Sequence, residues 1–304
     1  MLSISYIKRN AIDTLKWNAC IDGASNGIIY GHTDYLDCMS VNWDALIADD
    51  YHYVMPLTRN RKYGFDYLYQ PPFTASLGIF GNDIDQQITN EFLHAIPAKY
   101  WLVEISMNAG NRVNENISGI YYRDNYILDL SPPYETLRDQ FRQNIVRNSQ
   151  KAAASGCTYE KEIPLELVIL LARGVMKSLT PLPQDAYQRF EKLYHQLLQV
   201  NKAITRGVYT SKRQLVASAV FFFSNGRAYY ILVGNHPNGK TMGASHFLID
   251  SFIKEFAGKQ LVLDFEGSDI HGLAFFYSSF GAIIEKYPAI KWNKLPWWVK
   301  WLKL

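Results

Sequence analysis

Apolar positions along this chain recur in two alternating periods. Tyr100-Trp-Leu-Val-Glu-Ile-Ser106 and Arg227-Ala-Tyr-Tyr-Ile-Leu-Val-Gly234 are short apolar and aromatic runs bounded by turn residues, the pattern of strands. Further strands are predicted over 44–48, 53–59, 121–130, 157–162, 204–210 and 214–223, the last closing on Ser224-Asn225-Gly226, a hairpin signal. Phe65-Asp-Tyr-Leu-Tyr-Gln-Pro-Pro-Phe73 reads as a strand ended by two prolines, which have no N–H to give a ladder. Helical spacing is predicted over 11–20, 34–42, 84–95, 165–177 and 185–202, and in a helix carrying Phe247, Leu248, Phe252, Ile253 and Phe256. Strand and helix alternate, so the expected fold class is α/β (α+β), with mixed central sheets flanked by helices.

The run ending at Leu130 meets Ser131-Pro132-Pro133, where Ser131 is placed to cap a helix and the prolines to fill its first turn. That helix is expected to reach about Ala154 and stop at Gly156, with Leu137, Phe141, Ile145 and Ala152 on one face. Arg138, Arg142, Arg147 and Lys151 make it basic, a solvated face or a groove for RNA or an acidic substrate. It divides the chain into 1–131, a connecting basic helix 132–156, and 157–304.

Composition narrows the partners. With 304 residues and 48% hydrophobic content there is material for two cores. A formal net charge of +3 requires no acidic polymer. Cys20, Cys38 and Cys157 are odd in number and far apart, which argues against a disulfide framework or a zinc site and fits a reducing, cytoplasmic setting. No signal peptide is visible at the N-terminus, and no run approaches the ~20 apolar residues of a spanning helix. The seven histidines form no metal-like grouping, so no metal is expected. Gly23-Ala-Ser25-Asn-Gly27 has the G-x-S-x-G spacing but no buried strand leading in, and is read as a loop.

The candidate chemistry lies between Arg227 and Lys286. A strand ends at Val233-Gly234 and passes through Asn235-His-Pro-Asn-Gly-Lys-Thr-Met-Gly-Ala244 into a helix. Such a loop aims backbone N–H groups and the positive helix end at one spot suited to a phosphate. The alternative is ordinary helix entry. Asp264, Glu266 and Ser268 follow the strand at 261–263, where open α/β sheets place ligand-facing residues. Glu266 is a candidate general base, while Asp264 and Ser268 are equally suited to turn and cap duties. Tyr277 stands in Gly272-Leu-Ala-Phe-Phe-Tyr277-Ser-Ser-Phe280-Gly281, where the residues by themselves read as a core aromatic beside Phe275, Phe276 and Phe280.

This order of elements resembles the core of the GNAT acyltransferases. Lys240-Thr-Met-Gly243-Ala244-Ser245 is similar to that family's Gln/Arg-x-x-Gly-x-Gly/Ala loop, with Lys first and Ser last; Gly272 to Gly281 is similar to its Ala-x-x-Tyr-x-x-x-Gly-Phe segment, with the final pair reversed. With Tyr69-Gln-Pro-Pro-Phe73, Leu77-Gly-Ile-Phe80, Asn144 to Gly156 and Asp264-Phe-Glu-Gly-Ser268, nearly the whole chain looks like a tandem GNAT chain. Such chains include the Fem-type peptidoglycan aminoacyltransferases and their acetyltransferase-like relatives. The resemblance implies two acyltransferase-fold domains, the first degenerate as a donor site, and acyl transfer from acyl-CoA (acetyl-CoA) to an amine, either a small molecule or an envelope precursor.

By that resemblance the backbone near Leu232, Val233 and Gly234 holds the donor, Lys240, Gly243 and Ala244 hold its pyrophosphate, and Tyr277 protonates the departing thiolate. The long helical hairpin of many Fem-type enzymes has no counterpart here, which weighs against charged tRNA. The rivals are a Fem-like aminoacyltransferase and a non-catalytic binding protein. At the C-terminus, Lys294-Leu-Pro-Trp297-Trp298-Val-Lys300-Trp301-Leu-Lys303-Leu304 read as a helix puts Trp297, Trp298 and Trp301 on one arc, the composition of a peripheral membrane contact or of a tail docked on the core.

Overall fold

A computed structural model of the chain describes residues 2–176, 182–267 and 269–299. Two compact units emerge: Met1–Arg123 with Lys286–Leu304, and Asp124–Glu285.

In the first unit, β1 (Ile4–Lys8), β2 (Asn42–Ala48), β3 (Tyr53–Lys62) and β4 (Phe65–Leu68) pair antiparallel in chain order. Strand β5 (Tyr100–Ser106) then joins β4 in parallel, and β12 (Ile283–Asn293) joins β5 antiparallel through Ala289–Asn293. Helices α1 (Thr14–Gly23) and α2 (Thr33–Met39) lie between β1 and β2, and helix α3 (Gln86–Ala95) begins where the Asp85 side chain accepts the Ile88 N–H and buries Phe92 and Leu93. The core beneath includes Met55, Leu68, Phe92, Tyr100 and Ile290.

The second unit repeats the pattern. Strands β7 (Thr158–Lys161), β8 (Ala203–Tyr209), β9 (Leu215–Ser224) and β10 (Arg227–Asn235) pair antiparallel in order, β11 (Val262–Asp264) joins β10 in parallel, and β6 (Ile120–Asp129) joins β11 antiparallel. The β9–β10 turn is tight because Asn225 and Gly226 take φ of 50° and 69°, which these residues tolerate. Helices α6 (Leu165–Met176) and α7 (Gln184–Gln199) precede β8, and α9 (Ala244–Phe256) precedes β11. Its core centres on Phe221 and Phe252, stacked at 3.8 Å and 8°.

The two sixth strands are exchanged. Strand β6 follows β5 in sequence but pairs with β11, and β12 follows β11 but pairs with β5. The division between the units therefore falls inside β6 and β12, not at the expected boundary around 131–157. The expected helix 132–154 is two helices, α4 (Tyr134–Asp139) and α5 (Gln143–Ala154), both in the second unit. Ser131 does not cap α4, because its hydroxyl donates back to Asp129 at 2.8 Å; the break at Arg142 lets that residue's extended backbone N–H reach the Ser279 carbonyl at 2.9 Å.

A buried ion pair ties α9 to β8. Arg206 donates from Nε and Nη2 to the two Glu255 oxygens at 2.9 and 2.8 Å, Tyr159 donates to the same carboxylate at 2.7 Å, and Lys161 lies 2.8 Å away. Burial tends to raise the Glu255 carboxyl, but these donors outweigh it and hold it at about 2, below its ordinary 4.5. A depressed carboxylate stabilises fully above its unfolded value, and that contribution fades as pH falls through the folded one. Urea midpoints of the wild type are therefore expected to fall more steeply between pH 4.5 and about 2 than those of Glu255→Gln, a difference read by circular dichroism.

Candidate functional site

Strand β10 is where the second sheet opens. Its first residues, Arg227 to Tyr229, are bridged to β11, but from Tyr230 onward it keeps only β9. At the same point the β9 register shifts between Tyr230 and Leu232, so Ile231 is an inserted residue that bends the strand away from β11. Beyond the bulge, backbone amides and carbonyls on one edge of β10 have no ladder partner strand among the described residues, an arrangement that can bind an extended amide-bearing ligand. Val233 and Gly234 both lie in this stretch. Val233 packs against the core under α9, whereas Gly234 is buried under α6, where a Cβ would stand 2.8 Å from the Ala172 nitrogen and the Leu171 Cβ.

The segment after β10 is more ordered than the expected loop. Residues Pro237–Met242 form a short helix, α8, entered through His236, whose side chain accepts the Asn238 N–H. Proline at the first position and the capping imidazole favour that turn. As a result the Lys240 amide donates to the His236 carbonyl and the Gly243 amide to the Lys240 carbonyl. The expectation that both amides meet a phosphate narrows, for Lys240, to its exposed side chain.

Gly243 then reverses the chain into α9. It takes a φ of +80° and serves both as the left-handed end of α8 and as the start of α9. A Cβ there would lie 2.4 Å from the Asn148 carbonyl oxygen on α5, and Lys151 of α5 donates to the Thr241 carbonyl at 2.8 Å. The basic helix is thus a clamp on this corner. Because glycine has no side chain to cap with, and the first intrahelical bond runs from Phe247 to Gly243, the first-turn amides of Ala244, Ser245 and His246 lie at the positive helix end without an intrahelical partner. Asn235 accepts the Ser245 hydroxyl at 2.5 Å, pinning the strand end to this turn.

Gly243→Ala is expected to cost about 2–4 kcal/mol, the sum of the left-handed backbone and the Asn148 clash. Gly258→Ala isolates the first term, since that glycine has a similar φ of +78° and open space around it. Urea unfolding of the two variants checks the difference.

Tyr277 sits on α10 (His271–Ser278), buried, its ring stacked on Phe265 at 4.6 Å and 24°. Burial first, and the charge of Glu266 second, push its phenol well above the ordinary range, so at neutral pH it is a protonated acid. Tyr230, at the β10 bulge, is raised by burial and by Tyr277, which brings the two phenols into electrostatic reach. Glu266 follows β11 at a φ of +66°, and its amide donates to Asp264 at 2.9 Å. Ser268 lies outside the described residues.

Asp264 has another occupation. It accepts from Arg227 at 2.9 Å and from Asn125 at 3.0 Å, while Glu285 accepts from Arg227 at 2.7 and 2.9 Å. Burial still leaves Asp264 above its ordinary value; Glu285 is also pushed up by burial, but Arg227 outweighs that and holds it below. This cluster joins β10, β11 and the start of β12, and so fixes where β10 leaves β11.

His246 was not foreseen. It stands in the first turn of α9, with Nε2 3.4 Å from the Asn148 amide, its ring edge-on to Phe276 at 4.9 Å, and a buried Nδ1 with no hydrogen-bond partner. Burial holds its imidazole below the ordinary range, neutral at pH 7. A search of the sequence for metal spacings passes over a lone histidine of this kind. Among the described residues, no three His, Cys, Asp or Glu side chains gather into a metal-binding group, and no helix is long and apolar enough to cross a membrane. At the C-terminal end Trp297 is 84% exposed in a 3-10 turn; Trp301 and the Trp298 side chain lie outside the described residues.

No family model and no curated protein matches the sequence. Solved structures do match in fold. FemX superposes with a TM-score of 0.64 at 13% identity, over 94% of this chain and 97% of that one. A conserved protein of unknown function from Bacteroides thetaiotaomicron gives 0.59 at 12%, over 95% and 99%. The C-terminal domain of a putative lysylphosphatidylglycerol synthetase from Agrobacterium fabrum gives 0.55 at 11%, over 94% and 93%. At these identities the likeness is one of fold, and it spans nearly the whole chain.

Proposed function

We propose that this chain, with the fold of FemX, is an N-acyltransferase in which an amine attacks an acyl thioester held on the second unit. The observation that carries the reading is the opening of β10 beside an uncapped helix start. An acyl-CoA arm would run along the free edge of β10 near Val233 and Gly234. Its pyrophosphate would meet the amides at Ala244, Ser245 and His246 across Gly243, with Lys240 adding charge. Tyr277, protonated and beside the bulge, is suited to give its proton to the leaving thiolate, and Glu266 to take one from the attacking ammonium. Attack forms the new amide C–N bond as the C–S bond breaks, and no covalent enzyme intermediate is required.

Aminoacyl transfer to an envelope or lipid precursor is the second reading. It is favoured by the fold shared with FemX and with a putative lysylphosphatidylglycerol synthetase. In that reading the exposed Trp297 would serve a peripheral membrane contact.

Calorimetric titration with CoA and acetyl-CoA decides between them. Micromolar binding by the wild type that is weakened in Lys240→Glu, at an exposed position where the fold is kept, supports the thioester donor. Absence of CoA binding, with salt-sensitive binding of charged tRNA, transfers the case to the second reading.

A further inference from the structure

The outer face of α6 is not explained by folding. Leu167 and Leu170 are 39% and 70% exposed, although the helix already buries Val168, Ile169 and Ala172 against the sheet. These two leucines form one wall of a cavity of about 790 Å³ whose other apolar surfaces are Leu171, Leu215 and Pro237. The volume and the largely apolar lining are those of small-molecule sites.

At the α8 end the lining becomes polar: Asn235, His236, Lys240 and Thr241. Three of these already have local partners, since Asn235 accepts from Ser245, His236 from the Asn238 amide, and Thr241 donates to the Asn238 carbonyl. Lys240 differs. It is the one formal charge among the described lining residues, its side chain is exposed, and it enters none of the ion pairs of the described residues. An apolar trough ending at an ammonium with no acidic partner among the described residues selects a ligand with a hydrocarbon chain and an anionic head.

We infer that this cavity between α6 and α8 is a binding site for an anionic amphiphile, its chain along Leu167, Leu170 and Leu215 and its phosphate or carboxylate at Lys240. The site shares Lys240 with the acyl-transfer reading, which gives that side chain to the donor's pyrophosphate, but its apolar wall of Leu167, Leu170 and Leu215 has no part in that reading, so the two can fail or hold separately. A buried methylene gains enough that affinity should climb about three- to fourfold per added CH₂ until the trough is filled.

The test is calorimetry with butyl, octyl and decyl phosphate below their micellar concentrations, on the wild-type chain, Leu170→Gln and Lys240→Gln. Leu170 is exposed enough that its replacement leaves folding intact, which an unchanged melting temperature verifies. The inference holds if affinity rises with chain length in the wild type, the rise is blunted in Leu170→Gln, and Lys240→Gln weakens every member about tenfold. It is overturned by a flat chain-length series, by equal binding in Leu170→Gln, or by uncharged decyl glucoside binding as well as decyl phosphate. Decanoate in parallel identifies the head: tighter phosphate binding assigns a phospholipid-like ligand, tighter carboxylate binding a fatty acid, and both outcomes support the site. Acetyl-CoA titrated into Leu170→Gln separates the two proposals, since Leu170 lines only this cavity: donor binding there is expected to match the wild type while the alkyl phosphates weaken.

Discussion

Arg227→Ala is expected to destabilise the second unit by about 3–5 kcal/mol at neutral pH, the usual cost of leaving buried carboxylates without their cation. Asp264, 5% exposed, would remain inside and Glu285 half-buried, with Asn125 as the remaining side-chain donor to each among the described residues. The pH dependence gives the mechanism away. Without Arg227 both carboxyls would titrate above their unfolded values, and a group raised in this way adds stability as pH falls, so the gap to wild type is expected to narrow between pH 7 and pH 5. A gap that does not change with pH would mean the loss comes from packing of the guanidinium stem. Far-UV circular dichroism is the appropriate probe, because all the described tryptophans belong to the first unit. Arg227→Met combined with Asp264→Asn and Glu285→Gln should recover much of the loss, since it removes the charges together.

Tyr277→Phe should leave the fold and donor affinity nearly unchanged and lower kcat by about 10²–10³-fold, the range for losing a general acid. Phenylalanine keeps the stack on Phe265, so a structural role alone predicts little effect on turnover. The raised phenol also predicts that wild-type turnover persists past the ordinary tyrosine value of 10.0 without an alkaline fall. Leaving-group dependence supplies the sharper criterion. Thioesters of acidic thiols need no proton on departure, so they should lose much less in the variant than acetyl-CoA does. Equal losses for both donors would remove Tyr277 from the acid role.

Where the chain's periodicity is strong, sequence and structure coincide: β5 spans the predicted Tyr100–Ser106, and β10 exceeds its predicted span by a single residue, Asn235. The hairpin at Ser224-Asn225-Gly226 was legible because only a few residue types accept two consecutive positive φ angles. β12 was missed because Pro288 interrupts it and charged residues break its alternation; its pairing is supplied by β5, far away in sequence. The helix at 237–242 was read as a loop because Pro, Asn and Gly in succession signal a turn, and a capping imidazole carries no sequence mark of its own. For the candidate site, the order of strand, glycine-bearing turn, helix and Tyr277 helix was legible along the chain; the roles given to Gly243 and Tyr277 remain the proposal's. The opening of β10 was not legible, since it depends on β11 being three residues long and on one inserted residue at Ile231. His246 and the Arg227 cluster likewise depend on partners brought in from α5, α10, β6 and β12.

The exchanged strands also set a timetable for synthesis. All of Asp124–Glu285 is present on the ribosome once Glu285 has emerged, so the second unit can close while translation continues. The first unit cannot, although most of it was made earlier, because β5 receives its neighbour from Ala289–Asn293. Until then the edge of β5 is an open template for stray strands, through the whole time needed to make the intervening residues. Chains that terminate early are therefore expected to retain a folded second unit and to aggregate through the first.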